Sequence, residues 1–329
     1  MNVVSRGISW SFSNIGQGML RALFLLVLMI MVSPIFAKSH QYGDSGDSFL
    51  WEVGYQGQRV GLLFGTVHMG TSASAVPVPV KQALDQDATL VTEIQVLFPS
   101  ARAEQEAYGL GIAAAFPPVP ETIEMRFSET YQERVRNALR RQKVILLNQQ
   151  DQLSNEFILM LMMLDIGKEF QADYGMEKLL KAYIADRDIH NIALEGISES
   201  LQYYVDASKP LAKQMIEAWL DNTDMLQNLN QQLIQSYEAN DIERFTTLMT
   251  EMEAISFPFA EYESEIAHYY DQLLFQRNDR WLEQLTPILQ ENAGQAEYVI
   301  AVGAFHLLGE KGMVELLRQA GFDVTPVSY

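Results

Sequence analysis

No cysteine occurs among the 329 residues of this chain, and basic residues are scarce: 23 Lys and Arg face 42 Asp and Glu, with only five His. The missing thiols exclude disulfides, thiol catalysis, Cys-ligated zinc and iron–sulfur clusters, so any metal must be held by His, carboxylates, amides and water. The acidic excess, a formal net charge of −19, repels nucleic acid and anionic membrane surfaces, and no nucleic-acid partner is expected.

The N-terminus lacks charge almost entirely. Arg6 and Arg21 are the only charged residues before Lys38, and ALFLLVLMIMVSPIFA fills the interval from 22 to 37. A basic stretch, an apolar run and a small residue, Ala37, are the layout of a secretory signal. Residues 1–37 are read as that signal and the protein as exported, periplasmic or secreted. An apolar run of 16 residues is near the short limit for a membrane span, so a retained anchor is the alternative, and membrane contact is expected only in that case. Cleavage removes two of the 23 basic residues and leaves 21 against 42 acidic ones, a net charge of −21.

Residues 38–48 are polar and glycine-rich and read as a leader. With 48% hydrophobic residues, 16 Phe, 14 Tyr and 4 Trp, the remainder, 49–329, can bury a large core and is read as one domain. FLWEVGYQ and RVGLLFGTVH bracket Gly57 as a β-hairpin. A short helix is expected over Val80–Asp87 and a strand over Ala88–Gln95. Helix dominates two insertions, about 100–170 and 209–290, the second divided at Pro258. The Met cluster at 160–163 reads as core. HNIALEG reads as a strand, followed by a helix capped by Ser198. AEYVIAVGAFH, GEKGMVELLRQAG and FDVTPV form a closing strand–helix–strand. Strands separated by helices imply an α/β fold with a central, mostly parallel sheet, opened by the hairpin and carrying large all-helical insertions.

The strand ends carry the chemistry. LLFGTVH ends on His68, ATLVTE on Glu93, NIALE on Glu195 and YVIAVGAFH on His306, while the strand bodies hold almost no charge. Gly-x-x-His thus occurs twice, with histidines about 240 residues apart. In an open parallel sheet, ligands bind beyond the carboxyl ends of the strands, which would gather these four side chains at one edge. Two imidazoles and two carboxylates suit a divalent metal or a general acid–base pair equally well. A single His or Glu at a strand end is ordinarily solvated or capping; four on four strands suggest a shared site. His40, His190 and His268 are assigned no role. Asp173 is expected to cap a helix, and Asp173 and Tyr174 are weaker site candidates.

GTVHMG, LVTEIQ, the DYGME run at Asp173, ALEGISESLQ, QRNDRW and VGAFHLLGEKGMVELLRQAGFDVTPV together resemble the TraB/PrgY/GumN family. That family includes the TIKI membrane proteases acting on Wnt proteins, and is more distantly related to erythromycin esterases and the haem-binding lipoprotein ChaN. The resemblance implies an erythromycin-esterase/ChaN-like fold and a metal-dependent hydrolase site. Carried over, His68 and His306 with Glu93 and Glu195 would hold a divalent metal (Mn, Co or Zn), the glutamates also serving as acid or base. Arg277, Asn278 and Trp281 form an Arg-Asn-x-x-Trp motif. Arg277 and Asn278 are candidate catalytic groups, and all three are candidates for binding a peptide or small-molecule substrate. A metal-free, histidine-based esterase and a haem- or peptide-sequestering protein without turnover are the alternatives.

Overall fold

The computed structural model describes residues 48–94, 100–117, 119, 121–141, 150–167 and 172–329. The signal reading and nearly all of the leader fall outside them. Six strands form one mixed sheet: β1 (Leu50–Tyr55), β2 (Gln58–Thr66), β3 (Thr89–Ile94), β4 (Asn191–Glu195), β5 (Tyr298–Gly303) and β6 (Asp323–Pro326), in the order β4-β3-β5-β2-β1-β6. The hairpin turns at Gln56 and Gly57, both in the left-handed region at φ 52° and 76°, the backbone that a two-residue hairpin loop demands. β1 runs antiparallel to both β2 and β6, whereas β2–β5, β5–β3 and β3–β4 are parallel. β5, YVIAVG, is buried at every position, as a central parallel strand covered on both faces must be, and its apolar character is correspondingly continuous.

The first helix, α1 (Val78–Asp85), starts two residues earlier than its apolar period suggests, because Pro77 and Pro79 pre-set the first turn. After β3 come α2 (Ala101–Ala115), α3 (Ile123–Arg126), α4 (Glu129–Arg141) and α5 (Asn155–Ile166). Ser100 caps α2 by accepting from the Ala103 N–H. The α5 sequence NEFILMLMMLDI has apolar residues all round and is buried from Phe157 to Met163, as a helix without a polar face must be. α6 (Met176–Ile184) leads into β4, and α7 (Ile197–Ser208) follows it. Gly196, rather than Ser198, occupies the cap position of α7. The chain turns helical directly after Glu195, which places Ser198 inside the first turn.

The second insertion contains α8 (Ala212–Asp221), α9 (Thr223–Glu238), α10 (Ile242–Ser256), α11 (Glu263–Tyr270) and α12 (Gln276–Glu291), with the break at Pro258 between α10 and α11. A π-helical turn, Asp271–Phe275, joins α11 to α12. α13 (Met313–Gln319) then carries the chain across two strands from β5 to β6. No helix among the described residues is long and apolar enough to cross a membrane.

Candidate functional site

The sheet order settles where the strand ends meet. β4, β3, β5 and β2 are consecutive and parallel, so Glu195, Glu93, His306 and His68 line one edge in that sequence. Register sets the fine placement. Thr92 pairs with Ala301 and Thr66 with Gly303, and Glu93 Oε1 accepts a short hydrogen bond from the Gly303 N–H. The glycine of the first Gly-x-x-His has a packing reason. A Cβ on Gly65 would fall 2.8 Å from a Leu307 methyl and 3.2 Å from Ala304 Cα, so glycine lets β2 approach the short 3₁₀ turn (Ala304–His306) that carries the second histidine without displacing its packing.

Arg277 occupies the centre. Its Nε donates to Glu195 Oε2 at 3.1 Å, and one Nη to Glu195 Oε1 at 2.5 Å and to Glu93 Oε2 at 3.1 Å. The other Nη donates to the Leu273 carbonyl at 3.0 Å and lies 3.1 Å from His306 Nε2. All five guanidinium N–H groups are therefore directed at protein acceptors. Burial works to lower the Arg277 pKa, but Glu195 and Glu93 outweigh it and raise it. Removing this guanidinium would leave two carboxylates buried without a counter-charge, which costs about 3–5 kcal/mol where one partner of a buried pair is lost. Trp281, four residues on, is fully buried beneath the guanidinium, 4.7 Å from ring centroid to Cζ, and packs against the His306 ring at 4.4 Å. It touches the site from behind rather than lining an open surface.

Asn278 fixes the state of His306. Its Nδ2 donates to the carbonyls of His306 at 3.2 Å and Lys311 at 2.8 Å, which leaves Oδ1 as the acceptor 2.7 Å from His306 Nδ1. Nδ1 therefore carries the proton, and the Nε2 lone pair accepts from Arg277. Burial first, then the charges of Arg277 and His68, push the His306 pKa well below its ordinary value. This imidazole is neutral.

His68 is different. It is only 8% exposed, yet neither ring nitrogen has a well-formed hydrogen bond among the described residues. Nδ1 lies 3.1 Å from Glu177 Oε1, an ion-pair distance whose N–H direction falls short of hydrogen-bond geometry. Among the described residues Nε2 has no hydrogen-bond partner. Burial lowers the His68 pKa, but Glu177, with a smaller contribution from Glu93, reverses this and raises it. Burial likewise pushes Glu93 up to about 6, against the pull of Arg277 and His68. Glu177 is held low, since the charge and proximity of His68 and the Thr66 hydroxyl overcome its burial.

The expected site residues His68, Glu93, Glu195, Arg277, Asn278, Trp281 and His306 are thus brought into one contiguous cluster. Asp173 is not among them, nor does it cap a helix: it is exposed and pairs with Lys178 Nζ, and Gly175 is the cap residue of α6. Tyr174 contributes only its carbonyl, which lies against Gly70 in the loop after His68. Glu177 and Thr66 were not among the candidates, although Glu177 ends the DYGME run. An acid in the first turn of a helix is ordinarily a favourable partner of the helix dipole, which hides any further role.

The donors present do not fit a divalent metal in this arrangement. Glu93, Glu195 and the His306 lone pair are all turned onto the guanidinium, and no three His, Asp or Glu side chains converge as a metal set among the described residues.

Fold and site together define an α/β protein with a buried ionic site at the carboxyl edge of a parallel sheet. Residues 49–326 match the TraB/PrgY/gumN family model, and the chain belongs to that family. A shorter stretch is 36% identical over 53 residues to Metalloprotease TIKI2 of Danio rerio, covering 16% of this chain and 10% of that protein. The chain therefore spans about a tenth of the length of the curated relative it matches. No solved structure matches significantly.

Proposed function

We propose that this protein is an exported hydrolase of acyl bonds, peptide bonds foremost, in which His68 is the general base on water. The observation that carries the reading is the buried Nε2 of His68, unpartnered among the described residues, beside a preformed ionic cluster. An imidazole in that state can take a proton from water and return it to a leaving group. In this mechanism Nε2 removes the proton as the water oxygen adds to the carbonyl carbon. The imidazolium then protonates the departing nitrogen or oxygen as the acyl bond breaks. Glu93, mostly ionised at neutral pH, stabilises the imidazolium through space. Arg277 keeps Glu93 and Glu195 in place. Neutral His306, locked by Asn278, accepts from Arg277 and so orients it.

Peptide bonds are favoured because the matched relative is by name a protease. That relative is a metalloprotease by name, but since the donor set here does not fit a metal ion, no step is routed through one.

The test uses the mature chain with fluorescent casein for peptide bonds and p-nitrophenyl acetate for esters, with EDTA or Mn²⁺ added in parallel. The expected result is turnover that survives EDTA and falls by roughly 10²-fold or more in His68→Ala. Equal rates for His68→Ala and wild type would end the reading. Activity abolished by EDTA and restored by Mn²⁺ would overturn the metal-free mechanism.

A further inference from the structure

We infer that Glu177 is the positioning residue of His68: its carboxylate holds the imidazole in the tautomer that leaves Nε2 bare. The inference rests on the hydrolase reading for its consequence and on geometry for its substance.

Neighbouring residues on two segments grip one another. Met176 N–H donates to the Val67 carbonyl at 2.9 Å, which pins the start of α6 against the end of β2. Thr66 Oγ1 donates to Glu177 Oε1 at 2.7 Å, and the same oxygen lies 3.1 Å from His68 Nδ1. Residues 66, 67 and 68 are thus each met by 176 or 177. An ionised carboxylate can only accept, so the nitrogen facing it is the one that bears hydrogen. The N–H of Nδ1 points off the line to Oε1, and a small turn of the ring completes the bond. Such tightening on substrate binding is common where an unliganded site is loosely aligned. Thr66 gives the carboxylate a fixed reference, since one oxygen is shared between the hydroxyl and the ring.

Glu93 is turned to other partners. Its Oε1 is bound to the Gly303 N–H and its Oε2 to Arg277. His306 has an equivalent device in Asn278, a neutral acceptor, whereas His68 has a charged one. The two Gly-x-x-His histidines are therefore differentiated by what stands behind Nδ1: an amide for the resting partner of Arg277, a carboxylate for the base.

The experiment needs two readouts, one of which requires no substrate. In the mature chain labelled with ¹⁵N-histidine, long-range ¹H–¹⁵N spectra report which nitrogen of each ring carries the proton. At a pH above the His68 transition, where the ring is neutral, wild-type His68 is expected as the Nδ1–H form. Glu177→Leu, which removes the acceptor at similar volume, is expected to convert it to a mixture with the Nε2–H form. Isosteric Glu177→Gln is expected to retain Nδ1–H while kcat falls about tenfold and KM stays within twofold. A wild-type His68 in the Nε2–H form, or an unchanged His68 in a folded Glu177→Leu, overturns the inference. Should Glu177→Leu fail to fold, a Glu177→Gln enzyme with wild-type kcat overturns it instead. Absence of any hydrolysis sinks the hydrolase reading alone, since the spectra still decide the tautomer.

Discussion

Among single residues, Glu93 carries the most readable signature. It is 6% exposed, and burial lifts it to about 6 although Arg277, His68 and the Gly303 N–H all favour its charged form. A carboxyl group raised above its ordinary 4.5 binds a proton more tightly in the folded chain than in the unfolded one. Its stabilising contribution is therefore present at low pH and is lost as pH rises through the folded value. Relative to Glu93→Gln, which cannot titrate, the wild type is expected to lose about 2 kcal/mol between about pH 4.5 and pH 7. Urea titrations of both proteins at several pH values measure this. A constant difference across the range would show that Glu93 does not titrate there.

At the scale of elements, the helical insertion is bonded into the site rather than merely laid over it. Near the α9–α10 junction, Tyr237 Oη donates to the Gly65 carbonyl at 2.6 Å. Asn240 Oδ1 accepts from the Phe49 N–H at 3.0 Å, and Glu238 accepts from the Thr71 N–H and from the Thr71 and Ser74 hydroxyls. The strand and loop on either side of His68 are thereby fastened to α9. Tyr237→Phe leaves the Gly65 carbonyl buried without that donor and is expected to lower stability by about 1–3 kcal/mol. Thermal unfolding reads the loss, and a change under 0.5 kcal/mol would mean the bond is replaced.

Legibility in the sequence divides along the same line. The hairpin at Gly57 and the apolar strands leading to His68, Glu93, Glu195 and His306 were readable, because a short continuous apolar run with a polar end leaves a local trace. The strand order was not, since pairing β5 between β3 and β2 depends on contacts between distant segments. Nor was the π-turn at Asp271–Phe275, whose extra residue has no composition of its own. It ends at Phe275, just before the helix whose second and third residues, Arg277 and Asn278, are both buried and both reach the cluster. Glu177 escaped because a helix-start acid needs no further explanation.

For the molecule as a whole, export remains a proposal that rests on Arg6, Arg21 and the apolar run ending at Ala37. Expressed in full in a Gram-negative host, the chain is expected to be recovered from the periplasm with Lys38 as its first residue, as intact-mass spectrometry would read. Recovery of the uncut chain with membranes would favour the retained anchor. A net charge of −21 on the cut form suits a protein working in free solution, where self-repulsion resists aggregation.

The position of β5 has a consequence in time. β2 and β3 are not paired with each other; the strand that joins them, Tyr298–Gly303, follows β4 and every helix from α1 to α12 in the chain. Until it arrives, β2 and β3 each have an unpaired edge, and neither Arg277 nor His306 is in place. A growing chain is therefore slow to lock, because so many of its sheet contacts span most of its length. Under the proposed export, that delay would keep the chain unlocked while it is threaded outward.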